Sequence, residues 1–177
     1  SLFDNIEMGK MVRVEGNIDN SQKTIEDINS ITVLDGPTSE ISKVGDQQIL
    51  VLLLNFDNNP IEPLNIPDVE NVMFNNPDSV SAYYRENSYD KLNFNGDILG
   101  YFTLPINILN CQNLGPMIEE AVNQADPFVY FPDYEHIVFS FTGVCPWIGI
   151  GGVDTFNTDD GTIRVGVALI DDPPFMN

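Results

Sequence analysis

Histidine and cysteine are scarce in this sequence, and their scarcity argues against two kinds of active site. The 177 residues contain one histidine, His136, and two cysteines, Cys111 and Cys145. A zinc site draws its ligands from several His, Cys or carboxylate side chains, and His136 has no second imidazole or Cys-rich partner. Serine and cysteine nucleophiles usually need a nearby imidazole base, so nucleophilic catalysis has little support either. We therefore assign no catalytic residue and no zinc ligand within this chain.

Basic residues are also few. The chain has 7 Lys and Arg residues against 27 Asp and Glu residues, which gives a net charge of −20. Such a surface repels phosphate backbones and anionic lipid, so neither nucleic acid nor a membrane surface is an expected partner. The acidity fits a soluble protein or a saline habitat, and calcium binding on acidic loops is the alternative interpretation.

Long apolar runs are missing as well. A membrane helix needs ~20 continuous apolar residues, and Pro146 and several glycines interrupt the nearest candidate, 137–153. The cysteines are too few for a disulfide scaffold and are not spaced like a metal knuckle. A single Cys111–Cys145 disulfide and two buried thiols both remain open at this point.

The patterning predicts two parts. Residues 9–34 alternate apolar and polar side chains around Gly and Asn, which predicts a small antiparallel β-module, assigned to residues 1–44, with a turn at Gly16–Asn20. Met11 belongs to its first strand, and the polar stretch 35–48 is typical of a linker. Residues 45–177 open with "QILVLLLNF", 48–56, a continuous apolar run that indicates a strand buried on both faces.

The remaining elements of 45–177 alternate between helix and strand signals. A polar loop running to Asn76 leads into an aromatic helix that Asn76 or Asp78 caps, and Val80, Tyr83 and Tyr84 at i, i+3 and i+4 form its buried face. Next come a hairpin at Asn95-Gly96-Asp97, a helix over 115–126, a strand over 135–143, a glycine-rich loop over 143–153 anchored by Trp147, and a last strand over 162–171. The fold class is α+β, a mixed β-sheet with packed helices.

Two groups of polar residues have competing interpretations. His136 begins the strand "HIVFSF", where a structural histidine is favoured over a metal ligand. The stretch "DTFNTDDG", 154–161, gathers oxygen ligands but lacks a calcium-loop register that ends in a bidentate Glu. A hairpin turn at Asp160-Gly161 is one interpretation, and a calcium site formed by Asp154, Asn157, Asp159 and Asp160 is the other.

The stretch "SVSAYYRENSYDKLNFNGDILGYFTLP", 79–105, resembles the region before the active site of gametolysin-type zinc metalloproteases. Members of that family have a strand close to "ILVLLLNF", an aromatic helix ending in a motif like Asn-Ser-Tyr, and a Gly-containing strand running to Thr-Leu-Pro. "GKMVRVEGNI" and "INSITVL" resemble the small β-module often found ahead of that domain. The resemblance covers most of the chain.

This resemblance implies a zincin, whose sheet has an edge strand along the substrate cleft and is followed by a helix carrying His-Glu-x-x-His. That helix places two imidazoles at i and i+4 on zinc, and its Glu is the general base for metal-bound water. No such motif occurs here. We therefore expect residues 45–177 to be a zincin-like domain that is incomplete at its C-terminus, with the zinc bound by a further segment of a longer protein.

Two functional hypotheses follow. In the first, the chain is the N-terminal part of a secreted zinc-dependent metalloendopeptidase that acts on protein or peptide substrates, and it is inactive alone. Its last strand would then be the edge strand that pairs with the substrate, through Arg164, Val165, Gly166, Val167 and Ala168. In the second, the chain is a non-enzymatic secreted or surface binding module that uses calcium.

Overall fold

The structure is a computed structural model that describes residues 12–19, 24–33, 44–107, 114–143 and 145–171. The chain divides into two compact units, Ser1–Glu40 and Ile41–Asn177, whereas the sequence predicts a boundary after residue 44. Three parts of the sequence analysis lie outside the described residues: Met11, most of the linker (35–43) and Cys111.

The first unit contains two antiparallel strands, β1 (Val12–Asp19) and β2 (Thr24–Val33). The predicted turn at Gly16–Asn20 is wrong for its first residues, because Gly16 lies inside β1. The strand pairing shifts register between Glu15 and Asn17, around this glycine. A glycine within a strand commonly marks such a bulge, so the same residue that predicts a turn here produces an irregularity in a longer strand.

The second unit is built on a five-stranded mixed sheet with the order β4-β3-β5-β7-β6. Its strands are β3 (Gly45–Phe56), β4 (Leu92–Leu104), β5 (His136–Phe141), β6 (Gly149–Thr158) and β7 (Gly161–Asp171). All neighbouring strands run parallel except β6, which is antiparallel to β7. The predicted α+β class with a mixed sheet and packed helices is confirmed.

Three α-helices accompany this sheet: α1 (Ile66–Glu70), α2 (Val80–Asn87) and α3 (Leu114–Ala125). A π-helical turn, Asn71–Asn75, continues α1 directly. The prediction of a loop up to Asn76 is therefore wrong, because Asn65 accepts a hydrogen bond from the Asp68 N–H and caps α1, with Pro67 in the first turn. No helix in the described ranges is long and apolar enough to cross a bilayer.

The sheet has a hydrophobic core on each face. Leu50, Leu52 and Leu54 of β3 point to the face covered by α3, whose five predicted core residues are all buried: Met117, Ile118, Ala121, Val122 and Ala125. Ile49, Val51 and Leu53 point to the other face, in one core with Val69 of α1 and Val80 of α2. The prediction that β3 is buried on both faces is confirmed, and β3 begins at Gly45, inside the predicted linker.

The predicted hairpin at Asn95-Gly96-Asp97 is wrong, because these residues continue a single strand, β4, that runs parallel to β3. Gly96 is opposite Ile49, and a Cβ at position 96 would overlap the Ile49 backbone carbonyl. Glycine is therefore needed for the close approach of two strands rather than for a turn.

Substitution of this glycine gives a direct check on the pairing. Gly96→Val is expected to lower the free energy of unfolding by about 1–3 kcal/mol, since the new side chain forces β4 away from β3. Gly115→Ala is the matched control, because a Cβ at position 115 meets no atom within 4 Å. Urea unfolding of both variants measures the effect, and equal stabilities would contradict the parallel register.

The tyrosines of α2 are not core residues, contrary to the prediction. Tyr83 is 61% exposed and Tyr84 is 43% exposed, whereas Ser81 is buried. The Ser81 hydroxyl donates to the Phe94 carbonyl (2.8 Å) and accepts from the Phe94 N–H (3.2 Å). This pair of hydrogen bonds turns the Ser81 side of the short helix toward β4, and Tyr84 only touches the ring of Phe94 at the rim.

Candidate functional site

The edge of the sheet is β6, not β7. β7 is hydrogen-bonded to β5 on one side and to β6 on the other, so the predicted edge segment Arg164–Ala168 has neighbours on both sides. Within the described ranges, β6 pairs with β7 alone and ends the sheet. The expectation that Arg164, Val165, Gly166, Val167 and Ala168 pair with a substrate is wrong, because their main-chain groups face β5 and β6.

Two hydrogen bonds fix which main-chain groups of β6 point outward. The Asp171 N–H donates to the Ile148 carbonyl (2.8 Å), one step before the Gly149–Ile170 pair. Gly166 is the register partner of Val153. Its N–H donates to the backbone carbonyl of Glu135 (2.9 Å) and therefore points away from β6. In an antiparallel ladder, hydrogen-bonded and non-bonded pairs alternate. Even-numbered residues of β6 therefore bond to β7, and odd-numbered residues direct both N–H and C=O outward.

This outward-facing set has a defined end. The Thr155 N–H, which belongs to it, donates to the Asp154 side chain (Asp154 Oδ1, 2.8 Å). The Thr155 N–H, the next outward donor after that of Val153, is thus already bonded to Asp154. The outward groups of Gly149, Gly151 and Val153 form the remaining unpaired stretch, which we name the open edge (149–153).

The open edge is bordered by apolar side chains and by glycine. Ile148 is 62% exposed, Ile150 is 42% exposed and Val153 is 53% exposed. Gly152 faces empty space, since a Cβ there would meet no atom within 4 Å. An exposed edge strand with this composition is a ready template for pairing with another extended chain.

The open edge adjoins a part of the sheet that no helix of the described residues covers. On the face of Ile49 and Val51, α1 and α2 pack over β3 and β4. The strand register places small or apolar residues of β7 and β6 on that same face: Gly151, Val153, Ala168 and Ile170. Ile170 is 37% exposed there. We name this region the uncovered half-face.

The loop before β6 is fixed by the carboxylate of Asp171. Asp171, at the end of β7, is buried and accepts hydrogen bonds from the Gly143 N–H (2.7 Å) and the Cys145 N–H (2.9 Å).

Trp147 packs edge-on against Phe141, with ring centroids 6.2 Å apart, which confirms its predicted role as an anchor. Cys145 is disulfide-bonded, so of the two alternatives left open by the sequence, a disulfide or a buried thiol, the disulfide holds for this residue. These contacts give β6 a fixed starting point.

A hairpin turn is present one residue before the predicted Asp160-Gly161, because β6 ends at Thr158, the turn is Asp159-Asp160 and β7 begins at Gly161. The calcium interpretation stays a prediction. Asp160 accepts from the Phe131 N–H (3.2 Å), Asn157 accepts from the Thr162 hydroxyl (2.9 Å), and the Asp159 N–H donates to Asp126 (2.8 Å). Among the described residues, no group of three or more His, Cys, Asp or Glu side chains is arranged to hold a metal ion.

His136 lies inside the second unit rather than in an open site. Its ring is 5.9 Å from that of Phe94, and it lies over Gly166, where a Cβ would overlap Nδ1. Burial lowers the pKa of His136 below its ordinary value of 6.5, and the nearby Glu135 carboxylate opposes this change. The packing fits the structural role favoured from the sequence.

The lowered pKa predicts a stability change below neutral pH. Because the folded state disfavours protonated His136, the unfolded state binds more protons as the pH falls below the unfolded-state value near 6.5. The contribution is therefore complete above that value and is lost as the pH falls toward the folded-state pKa. Urea midpoints measured from about pH 7.5 down to pH 5.5 should decline in the native protein, and less steeply in His136→Gln. Equal slopes would contradict this assignment.

The sequence pattern did not predict β6 (Gly149–Thr158) as a strand: 143–153 was interpreted as a glycine-rich loop and 154–161 as a turn or a calcium site. The stretch "GIGGV" was predicted to be a loop because three of its residues are glycine, which is depleted in strands. One signal was available: Ile148, Ile150 and Val153 are apolar residues beside a confirmed hairpin turn. The edge position itself was not available, because it depends on the order of strands far apart in sequence.

No protein-family model matches this chain, and no curated protein sequence is significantly similar to it. The open edge and the uncovered half-face are therefore the features from which a function is proposed.

Proposed function

We propose that this chain is the N-terminal part of a secreted zinc endopeptidase, in which the open edge (149–153) pairs with the peptide substrate. The observation that carries the proposal is the set of outward N–H and C=O groups at Gly149, Gly151 and Val153. An extended peptide adds to such an edge through main-chain hydrogen bonds and is held in a fixed register. A protease needs this property, because the scissile bond must be held in one position.

The catalytic metal is assigned to a different segment of the protein. The residues described here do not fit zinc, since no group of three His, Cys, Asp or Glu side chains converges and His136 is packed against Phe94 and Gly166. The uncovered half-face supports the proposal that further chain packs on this sheet. Val153 and Ile170 are partly exposed apolar residues there, and the exposed Gly151 allows close approach of a helix backbone.

Secretion is supported by the disulfide at Cys145. Disulfides persist in oxidising compartments and are rare in the cytosol, where thiols are kept reduced. The net charge of −20 fits a protein that stays soluble in the extracellular medium.

Zinc content and proteolysis of two proteins test the proposal: this 177-residue chain, and the same chain extended by the residues that its gene encodes after Asn177. The extended protein is expected to contain His-Glu-x-x-His, to bind stoichiometric zinc and to hydrolyse casein until the zinc is chelated. The present chain is expected to do neither. Zinc binding or proteolysis by the present chain, or the absence of both from the extended protein, would contradict the proposal. If both were absent while peptide binding remained, a non-enzymatic binding module would be the function.

A further inference from the structure

The open edge (149–153) is apolar and is followed by an acidic residue. Ile150 and Val153 within it and Ile148 just before it are exposed, and Asp154 follows immediately with an exposed carboxylate. We propose that the open edge selects an extended peptide that is apolar over about four residues and carries Lys or Arg where it passes Asp154. This inference rests on the proposed function, because it names the substrate class of the same strand, but it is tested by binding alone.

The spacing of the outward groups sets the length of the partner. Gly149, Gly151 and Val153 present N–H and C=O groups at every second residue, and five residues of strand span about 17 Å. Asp154 ends the series by accepting the Thr155 N–H. A paired peptide therefore contacts the strand over about five residues, with its side chains alternating between the two faces.

The side chains beside the open edge favour apolar partner residues. Ile150 and Gly152 lie on one face of β6, and Gly151 and Val153 lie on the other. The glycines leave room for a large neighbouring side chain, and Gly152 faces empty space. Exposed Ile150 and Val153 supply the apolar surface against which such a side chain packs.

Charge determines which type of peptide residue is favoured beside Asp154. Arg164 is the one basic residue in β6 and β7, and its partner in the register is Thr155, so it lies on the opposite face from Asp154. The surface as a whole carries a net charge of −20. A Lys or Arg of the peptide is therefore attracted to Asp154, while an acidic residue there is repelled.

The same charge argues against a second copy of this chain as the partner. Two chains of net charge −20 repel each other, and pairing of two open edges brings two Asp154 side chains into one interface. Self-association through β6 is accordingly an outcome that the test below detects.

Binding of labelled peptides tests the inference. The probe is a fluorescein-labelled heptapeptide with the core Thr-Val-Leu-Val-Thr and Lys at both ends. Its controls carry Glu at both ends, or N-methyl groups on alternate core residues. Fluorescence anisotropy at low and physiological salt gives each Kd. The Lys peptide is expected to bind at least about threefold more tightly than the Glu peptide, with a smaller ratio at higher salt. N-methylation is expected to abolish binding.

Matched variants assign the binding to the open edge. Val153→Pro removes one outward N–H without removing a β6–β7 hydrogen bond, whereas Val153→Ala keeps that N–H. The proline variant is expected to bind the Lys peptide at least about fivefold more weakly than the alanine variant. Asp154→Asn keeps an acceptor for the Thr155 N–H and is expected to reduce the preference for Lys. Glu86→Gln, on α2, removes one charge at a distance and is expected to leave the preference unchanged.

Each outcome decides the inference. Absence of peptide binding, equal Kd values for the Lys and Glu peptides, or equal binding by the proline and alanine variants would overturn it. Sedimentation that shows a dimer lost in Val153→Pro would assign the edge to a second copy and also overturn it. Peptide binding without zinc or proteolysis in the extended protein refutes the proposed function alone, and proteolysis without the Lys preference refutes this inference alone.

Discussion

Reduction of the disulfide at Cys145 is expected to lower the free energy of unfolding by about 2–5 kcal/mol, among the largest effects expected for this protein. The disulfide lies in the segment that leads from β5 into β6, next to the two N–H groups held by Asp171. Its loss frees this segment in the unfolded chain and removes a constraint on the start of the open edge. Urea unfolding with and without reductant measures the change.

The fluorescence of Trp147, the one tryptophan of the chain, reports on the same segment because its ring packs on Phe141. A variant in which both Cys111 and Cys145 are replaced by serine is the control. Its urea midpoint is expected to match that of the reduced protein and to be insensitive to reductant. If reductant left the native protein unchanged, the disulfide would have no role in fixing β6.

The proposed function predicts that Val153→Pro, in the protein extended past Asn177, lowers kcat/KM for casein by about 100-fold, since small misplacements of a substrate have effects of that size. The substitution removes the outward N–H of the last residue of the open edge, so under the proposed function the substrate is held less firmly in its register. Proline is tolerated at the edge of a sheet when the missing N–H faces solvent. The folded structure of the variant is therefore expected to remain intact.

Val153→Ala is the matched control, and its kcat/KM is expected to stay within about threefold of the native value, because it keeps the main-chain donor. Urea unfolding of both variants checks that their stabilities agree within about 1 kcal/mol. Equal losses of activity in the two variants would assign the effect to the valine side chain and contradict a role for main-chain pairing.

Much of the core could be predicted from the sequence because it depends on local periodicity. The apolar run in β3 and the helical stripe of α3 each specify a buried surface without reference to distant residues. The hairpin prediction at Asn95-Gly96 failed for the opposite reason. The Gly96 backbone is determined by its approach to Ile49, which is distant in sequence, and this pairing prevails over the local turn signal.

The sequence placed the sheet edge on the wrong strand. That an edge strand binds an extended substrate is implied by the resemblance in 79–105 and stays a prediction, and its assignment to Arg164–Ala168 assumed that the last strand is the outermost one. The chain instead returns through β6 before entering β7, so the outer position goes to a glycine-rich stretch. Strand order is a long-range property, and glycine content obscured the strand itself.

The exposed tyrosines illustrate the same limit. Val80, Tyr83 and Tyr84 have the spacing of a buried helical face, yet Ser81 faces β4 because its hydroxyl bonds both main-chain groups of Phe94. A single polar side chain thus determines the orientation of a short helix, and an apolar stripe of three residues is too weak to override it.

Amide hydrogen exchange at β6, measured by NMR with and without the Lys peptide, tests the central claim most directly. The N–H groups of Gly149, Gly151 and Val153 point outward and are expected to exchange fast in the free protein and at least about tenfold more slowly with bound peptide. Those of Gly152 and Asp154 bond to β7 and are expected to be protected in both states. Protection of the three outward N–H groups in the free protein, or unchanged exchange at all three when the peptide is bound, would contradict the account.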